Sequence, residues 1–106
     1  MEIQQGAVLK VEKIKDPVFV ASKNFFNQSG EIIGCPILGE STESPLHIYV
    51  EMDENKGYIQ CEQMKMLDLR VRGYKIIDRV KMADVINVTD AIPVSYTHLR
   101  AHETVL

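Results

Sequence analysis

Four cations stand close together in this chain. Lys65, Arg70, Arg72 and Lys75 fall within residues 57–81, GYIQCEQMKMLDLRVRGYKIIDRVK, which also hold an acid–amide pair, Glu62-Gln63. Positive charge gathered in this way can track a phosphate backbone. It can equally form a solvated face, with Arg70 pairing to Asp68 across a turn over residues 65–68. His47 and Tyr49 lie two apart, hence on one side of an extended strand. There they could stack on or hydrogen-bond an unpaired base, or simply form surface. Cys35 and Cys61 sit among apolar or strand-like residues with no base nearby, as reduced core thiols do. His47 is the one histidine before residue 94, so no zinc set can be assembled, and neither a metal nor another cofactor is expected.

These groups need a frame to hold them. A chain of 106 residues and 12.0 kDa supports one domain with a modest core. Its 45% hydrophobic and 25% charged residues are ordinary for a globular protein. The net charge of −3 means that any nucleic-acid contact must come from a local basic patch, because bulk charge repels phosphate. No apolar run is long enough to span a bilayer, and MEIQQGAVLK lacks the order of a signal peptide, so no membrane association and a cytoplasmic location are expected.

Short strand patterns recur along the chain. Residues 7–14 alternate Leu9 and Val11 with Lys10 and Glu12, and residues 18–22 follow Asp16-Pro17. Residues 23–27 lead into the turn signal Asn27-Gln28-Ser29-Gly30. Residues 32–37 form an apolar run interrupted by Gly34, read as a central strand that is covered on both faces or bent at the glycine. Residues 46–52 alternate most clearly, with Leu46, Ile48, Val50 and Met52 opposite His47, Tyr49 and Glu51. Residues 54–57 supply another turn, and strands are expected over 58–62 and 74–80. Residues 82–92 change to helical spacing, with Met82, Val85, Ile86 and Ile92 forming the expected core stripe. The fold class is therefore mainly β, a small bent antiparallel barrel closed by a terminal helix.

The tail reads differently. Val94 to Thr104, VSYTHLRAHET, resembles the translation of a transposase adapter used in sequencing libraries. Residues 94–106 are expected to be foreign, leaving 1–93 as the native domain with its helix cut short.

The stretch from Gly57 to Lys81, followed by FVASKNFFNQSGEIIGCP (residues 19–36), resembles the MazF/PemK toxin family of type II toxin–antitoxin systems. The resemblance extends over nearly all of residues 6–92, and the order of elements carries it. It implies an SH3-like barrel, a homodimer with its contact near residues 67–72, single-stranded RNA as substrate, and a cognate antitoxin through which operator DNA is also bound. It further implies endoribonuclease activity, which without a metal needs a base for the 2′-hydroxyl, an acid for the leaving oxygen and positive charge at the phosphorane.

The family places an arginine just before the second-strand proline and a hydroxyl residue just after the third strand. Here those places read Asp16-Pro17 and Ile37-Leu38-Gly39. A carboxylate at Asp16 repels phosphate by roughly 1–4 kcal/mol at about 4 Å, so weak or lost cleavage by that route is expected. Lys13, Lys15 and Lys23 are the candidate replacements for the cation, and Ser41 and Thr42 for the hydroxyl. Glu62 stands where some PemK-type members carry a functional aspartate, which implies a general base; it also reads as a carboxylate capping the next turn. Gln60 takes the place of those members' second arginine. The alternative function is a non-catalytic module that binds nucleic acid or antitoxin on the same barrel.

Overall fold

Apolar and polar side chains that take turns along the chain favour strands, because successive residues of an extended backbone point to opposite faces. In the computed structural model, which describes residues 3–42 and 44–91, seven strands form one sheet. They are β1 (Ala7–Val11), β2 (Val18–Val20), β3 (Glu31–Leu38), β4 (His47–Glu51), β5 (Lys56–Gln60), β6 (Lys65–Asp68) and β7 (Tyr74–Arg79). All pairings are antiparallel, in the order β4-β5-β3-β2-β1-β7, with β6 also on β3. A one-turn helix, α1 (Asn24–Asn27), links β2 to β3, and α2 (Met82–Ala91) follows β7. No helix among the described residues is long and apolar enough to cross a membrane.

β3 organises the curl. One edge pairs with β2, while the other pairs with β6 over Glu31–Gly34 and with β5 at Ile37 and Leu38. Two strands can follow one another along that edge because a 3₁₀ turn, Cys61–Gln63, steps the chain sideways between them. Gly34 permits the close approach of β2: a Cβ there would lie 2.3 Å from Cγ1 of Val18.

The sheet's edge strands meet at a seam. Met52 and Val80 form an isolated bridge that joins the β4 side to the β7 side. Asp78, buried beside it, accepts hydrogen bonds from the backbone N–H of Glu54 (3.1 and 3.2 Å) and Arg79 (2.9 Å) and from Asn55 Nδ2 (2.8 Å). Burial pushes its pKa up, but these donors outweigh it and hold the carboxyl below its ordinary value.

The core lies on both faces of β2. Phe19 packs into a cluster with Ile33, Ile59, Val85 and Val88, while Val18 and Val20 join Leu9, Val11, Ile32 and Leu67. Burial on both sides explains why this strand reads as an unbroken apolar run. Cys35 and Cys61 are free thiols inside the first cluster, and burial pushes them up to about 12 and about 11. Near α1, Ser22, Asn27 and the carbonyl of Ile3 form a buried hydrogen-bonded knot that ties the amino-terminal segment down.

Several expectations are corrected. Residues 65–68 are a strand, not a turn, because their backbone pairs with β3 more than 30 residues earlier, a partner that local periodicity cannot reveal. The strand expected over 58–62 ends at Gln60, which puts Glu62 in the 3₁₀ turn. On α2 the buried residues are Val85 and Val88, whereas Met82 and Ile86 are 64% and 55% exposed. The helix carries two apolar rows, and only the packing of the sheet selects between them. Ile92 and the tail from residue 94 lie outside the described residues.

Candidate functional site

Pro17 has no N–H to give a strand ladder, but its carbonyl accepts from Ile37 N–H at 2.9 Å. That bond draws the end of β3 against the entry to β2. Asp16-Pro17 and Ile37-Leu38-Gly39, separate in sequence, therefore converge, and Asp16, Pro17, Ile37 and Gly39 line one cleft of about 200 Å³. Its described lining contains no arginine and no hydroxyl side chain; its charged groups are Asp16 and Lys56. Asn55 is also there, but its amide is committed to Asp78.

Sequence reasoning had passed over Lys56. The available clue was its neighbour Gly57, which must lie flush on β3: a Cβ there would sit 2.8 Å from Ile37 Cγ2 and 2.9 Å from the Leu38 carbonyl oxygen. A lysine beside such a glycine is carried to the same place.

Asp16 also lines a second cleft, of about 320 Å³, with Lys13, Lys15, Lys65 and Gln63. Lys13 adopts a left-handed φ of 67°, an uncommon conformation for a side-chain-bearing residue. No ion pair joins Asp16 to these lysines among the described residues. Three ammonium groups against one carboxylate give the cleft a positive balance inside an acidic chain.

The four cations grouped in sequence are divided by the fold. Lys65 is in register with Gly34 at one end of β6 and enters the lysine cleft, while Asp68 is in register with Glu31 at the other end. Arg70 is gripped there by Asp68 through two bonds of 2.9 Å, with Glu31 at 4.0 Å. The Arg70 side chain lowers the pKa of Asp68, and Asp68 in turn raises that of Arg70. Arg72 adds only a weak pull on Asp68, and Lys75 lies on β7, in register with Lys10. Lys13 and Lys15 replace them as companions of Lys65, whereas Lys23, just before α1, lines neither cleft.

His47 and Glu62, 15 residues apart, come together. The register of β4 on β5 sets His47 opposite Gln60, and the 3₁₀ turn then swings Glu62 back. His47 Nε2 lies 2.5 Å from Glu62 Oε2, while Nδ1 faces the Thr42 carbonyl at 2.9 Å and Ser41 Oγ at 3.3 Å. The carbonyl bond raises the His47 pKa above 6.5, partial burial opposes it, and Glu62 raises it further. Ser41 thus turns its hydroxyl and Thr42 its carbonyl to the imidazole, and neither residue lines the cleft at Asp16, Pro17, Ile37 and Gly39. Tyr49 shares the outer face of β4 and meets Tyr58 edge-on, ring centres 5.3 Å apart, yet remains 41% exposed. No group of three or more possible metal ligands gathers among the described residues.

Solved structures share this architecture. A MazF from Deinococcus radiodurans, crystallised as a MazE–MazF complex, superposes with a TM-score of 0.79 at 15% identity, covering 92% of this chain and 98% of that one. A mycobacterial endoribonuclease gives 0.78 at 15% identity over 92% and 93%. A mycobacterial endoribonuclease in complex with its cognate antitoxin gives 0.75 at 14% identity over 90% and 95%. At such identities the likeness establishes the fold. Among curated proteins, none matches the sequence. The family itself follows from sequence: a profile described as PemK-like, MazF-like toxin of type II toxin-antitoxin system matches residues 7–96. With that match spanning most of the chain and the curled sheet of the MazF structures reproduced, the protein belongs to the PemK/MazF-like toxin family of type II toxin–antitoxin systems.

Proposed function

We propose that this toxin binds single-stranded RNA across the two clefts flanking Asp16 and cleaves it slowly, because the arginine-and-hydroxyl route is missing. The observation that carries the reading is the convergence of Asp16-Pro17 and Ile37-Leu38-Gly39 on one cleft whose described lining offers neither group. Lys13, Lys15, Lys56 and Lys65 supply sites for backbone phosphates. Tyr49 and Tyr58, with His47 on the same strand face as Tyr49, offer rings on which bases stack. Losing a transition-state guanidinium slows phosphoryl chemistry on the order of a thousandfold, so turnover is low.

A cognate antitoxin is the expected partner, in keeping with the antitoxin-bound mycobacterial structure. Operator DNA is reached through that antitoxin, the toxin acts in the cytoplasm, and a homodimer forms over residues 67–72, where Val71 is 75% exposed.

The test is to induce the protein without antitoxin while measuring growth, RNA fragmentation and the binding of a labelled RNA oligonucleotide. Tight, salt-sensitive binding with slow fragmentation is expected. Rapid cleavage indifferent to Asp16 substitution would overturn the reading, and binding with no cleavage at all would make the chain a binding module on the same barrel.

A further inference from the structure

The larger cleft holds more than positive charge. Much of its lining is apolar, from Ile14, Val18, Pro36 and Leu67, and two polar side chains, Asp16 and Gln63, stand among them. Neither the Asp16 carboxylate nor the Gln63 side-chain amide makes a hydrogen bond or ion pair among the described residues. A lining of this kind suits a flat ring with apolar faces and hydrogen-bonding groups along its edge, as a nucleobase has. At about 320 Å³ the cleft lies at the lower end of the range for small-ligand pockets, roughly 300–1,000 Å³, which suits a single nucleotide unit.

We propose that Asp16 makes this cleft the pocket for a guanine of the bound RNA, an inference that rests on the RNA-binding reading above.

The chemistry of the base edges selects guanine. A carboxylate only accepts, and its two oxygens are best filled by two donors side by side. Guanine presents N1–H and an N2 amino hydrogen next to each other on its Watson–Crick edge. Adenine and cytosine each set an amino group beside a bare ring nitrogen, whose lone pair faces the second carboxylate oxygen. Uracil has a single N–H between two carbonyls. Guanine therefore gains two charge-assisted bonds, whereas each of the other bases sets an acceptor against an acceptor. Gln63 adds an amide N–H as a donor for guanine O6. Lys13, Lys15 and Lys65, in the same lining, offset the repulsion between Asp16 and the backbone phosphates that flank the base. Because Asp16 also lines the smaller cleft, the guanine adjoins the nucleotide held there.

Fluorescence anisotropy of the full chain with labelled short uridine oligonucleotides tests this, the central position being guanosine, inosine, adenosine, cytidine or uridine. The guanosine oligonucleotide is expected to bind about tenfold or more tightly than the adenosine, cytidine and uridine ones. Inosine, which keeps N1–H and lacks the amino group, should fall in between. Asp16→Asn, whose amide offers one acceptor and one donor, should bring all the affinities within about twofold of one another, while Asp16→Glu should keep their order. Gln63→Ala should reduce the guanosine advantage by about threefold. Binding of the all-uridine oligonucleotide reports that each variant is folded.

The inference is overturned if wild type binds all the oligonucleotides alike, or if Asp16→Asn keeps the guanosine preference. It is also overturned if guanosine monophosphate alone competes as well as the whole guanosine oligonucleotide, since the ligand would then be a free nucleotide. Failure to bind any of the oligonucleotides would remove the RNA-binding reading itself, so the two failures are told apart in one assay.

Discussion

Two aspartates divide this molecule. Asp78 is buried at the seam of the curled sheet and saturated by donors from Glu54, Asn55 and Arg79. Asp16 is half-buried between two clefts, with lysines nearby and no ion pair among the described residues. The first carboxylate ties together backbone that would otherwise lack acceptors, so its charge is a structural fastening. The second makes no ion pair among the described residues and, on the function proposed above, stands where a cation would meet the scissile phosphate. A saturated charge holds shape; an unsatisfied one at a cleft sets what can enter.

If this contrast holds, the largest effect comes from reversing the charge at Asp16. Asp16→Arg should raise the cleavage rate about a hundredfold, equivalent to about 2.7 kcal/mol of barrier, in a single-turnover assay. An unchanged rate would mean that the cleft no longer admits the scissile phosphate. Asp16→Ala, by comparison, should alter folding stability by less than about 0.5 kcal/mol.

Asp78→Ala should do the opposite, costing about 2–3 kcal/mol in urea unfolding because Glu54 and Arg79 N–H lose their acceptor, without altering RNA affinity in the folded protein. The seam also responds to acid. The folded pKa of Asp78 lies below its ordinary 3.8, so its stabilisation is present above that value and is lost as pH falls through the lowered one. Asp78→Asn should remove this acid-side dependence.

A smaller effect is expected among the cations. Lys13→Ala with Lys65→Ala should reduce the slope of log affinity against log salt by about 0.7 for each phosphate no longer neutralised, whereas Arg70→Ala, removing a residue gripped by Asp68, should leave it unchanged. Equal slopes for both variants would mean that the clefts do not track the backbone.

The smallest effect is on stability at alkaline pH. His47 has a folded pKa raised above 6.5, so the stability from its bonds to Thr42 and Glu62 is complete below 6.5 and fades as pH rises through the folded value. Thermal unfolding of His47→Gln should lack this fade.

Much of the frame could be read along the chain. Residues 46–52 alternate because one face packs on the core: Val50 is buried and Ile48 and Met52 join the cluster, while His47, Tyr49 and Glu51 stay outside it. β6 escaped notice because its partner lies more than 30 residues away, on β3. On α2, two apolar rows competed, and the sheet's shape chose Val85 and Val88 over Met82 and Ile86. At the site, Glu62 and His47 were each visible as reactive residues, but nothing between them in the chain announces that they touch.

Side-chain identity and local periodicity are properties of the chain alone. They were enough to show Asp16-Pro17 and Ile37-Leu38-Gly39 as segments with neither an arginine nor a hydroxyl, and to predict the short strands around them. Which charges become neighbours is a different matter. The pairing of His47 with Glu62 and the separation of Arg70 from Lys65 follow from strand register, while the loop between β1 and β2 brings Lys13 and Lys15 to the Lys65 cleft. Register is set by hydrogen bonds between segments distant in sequence, so those neighbourhoods exist only once the sheet has curled.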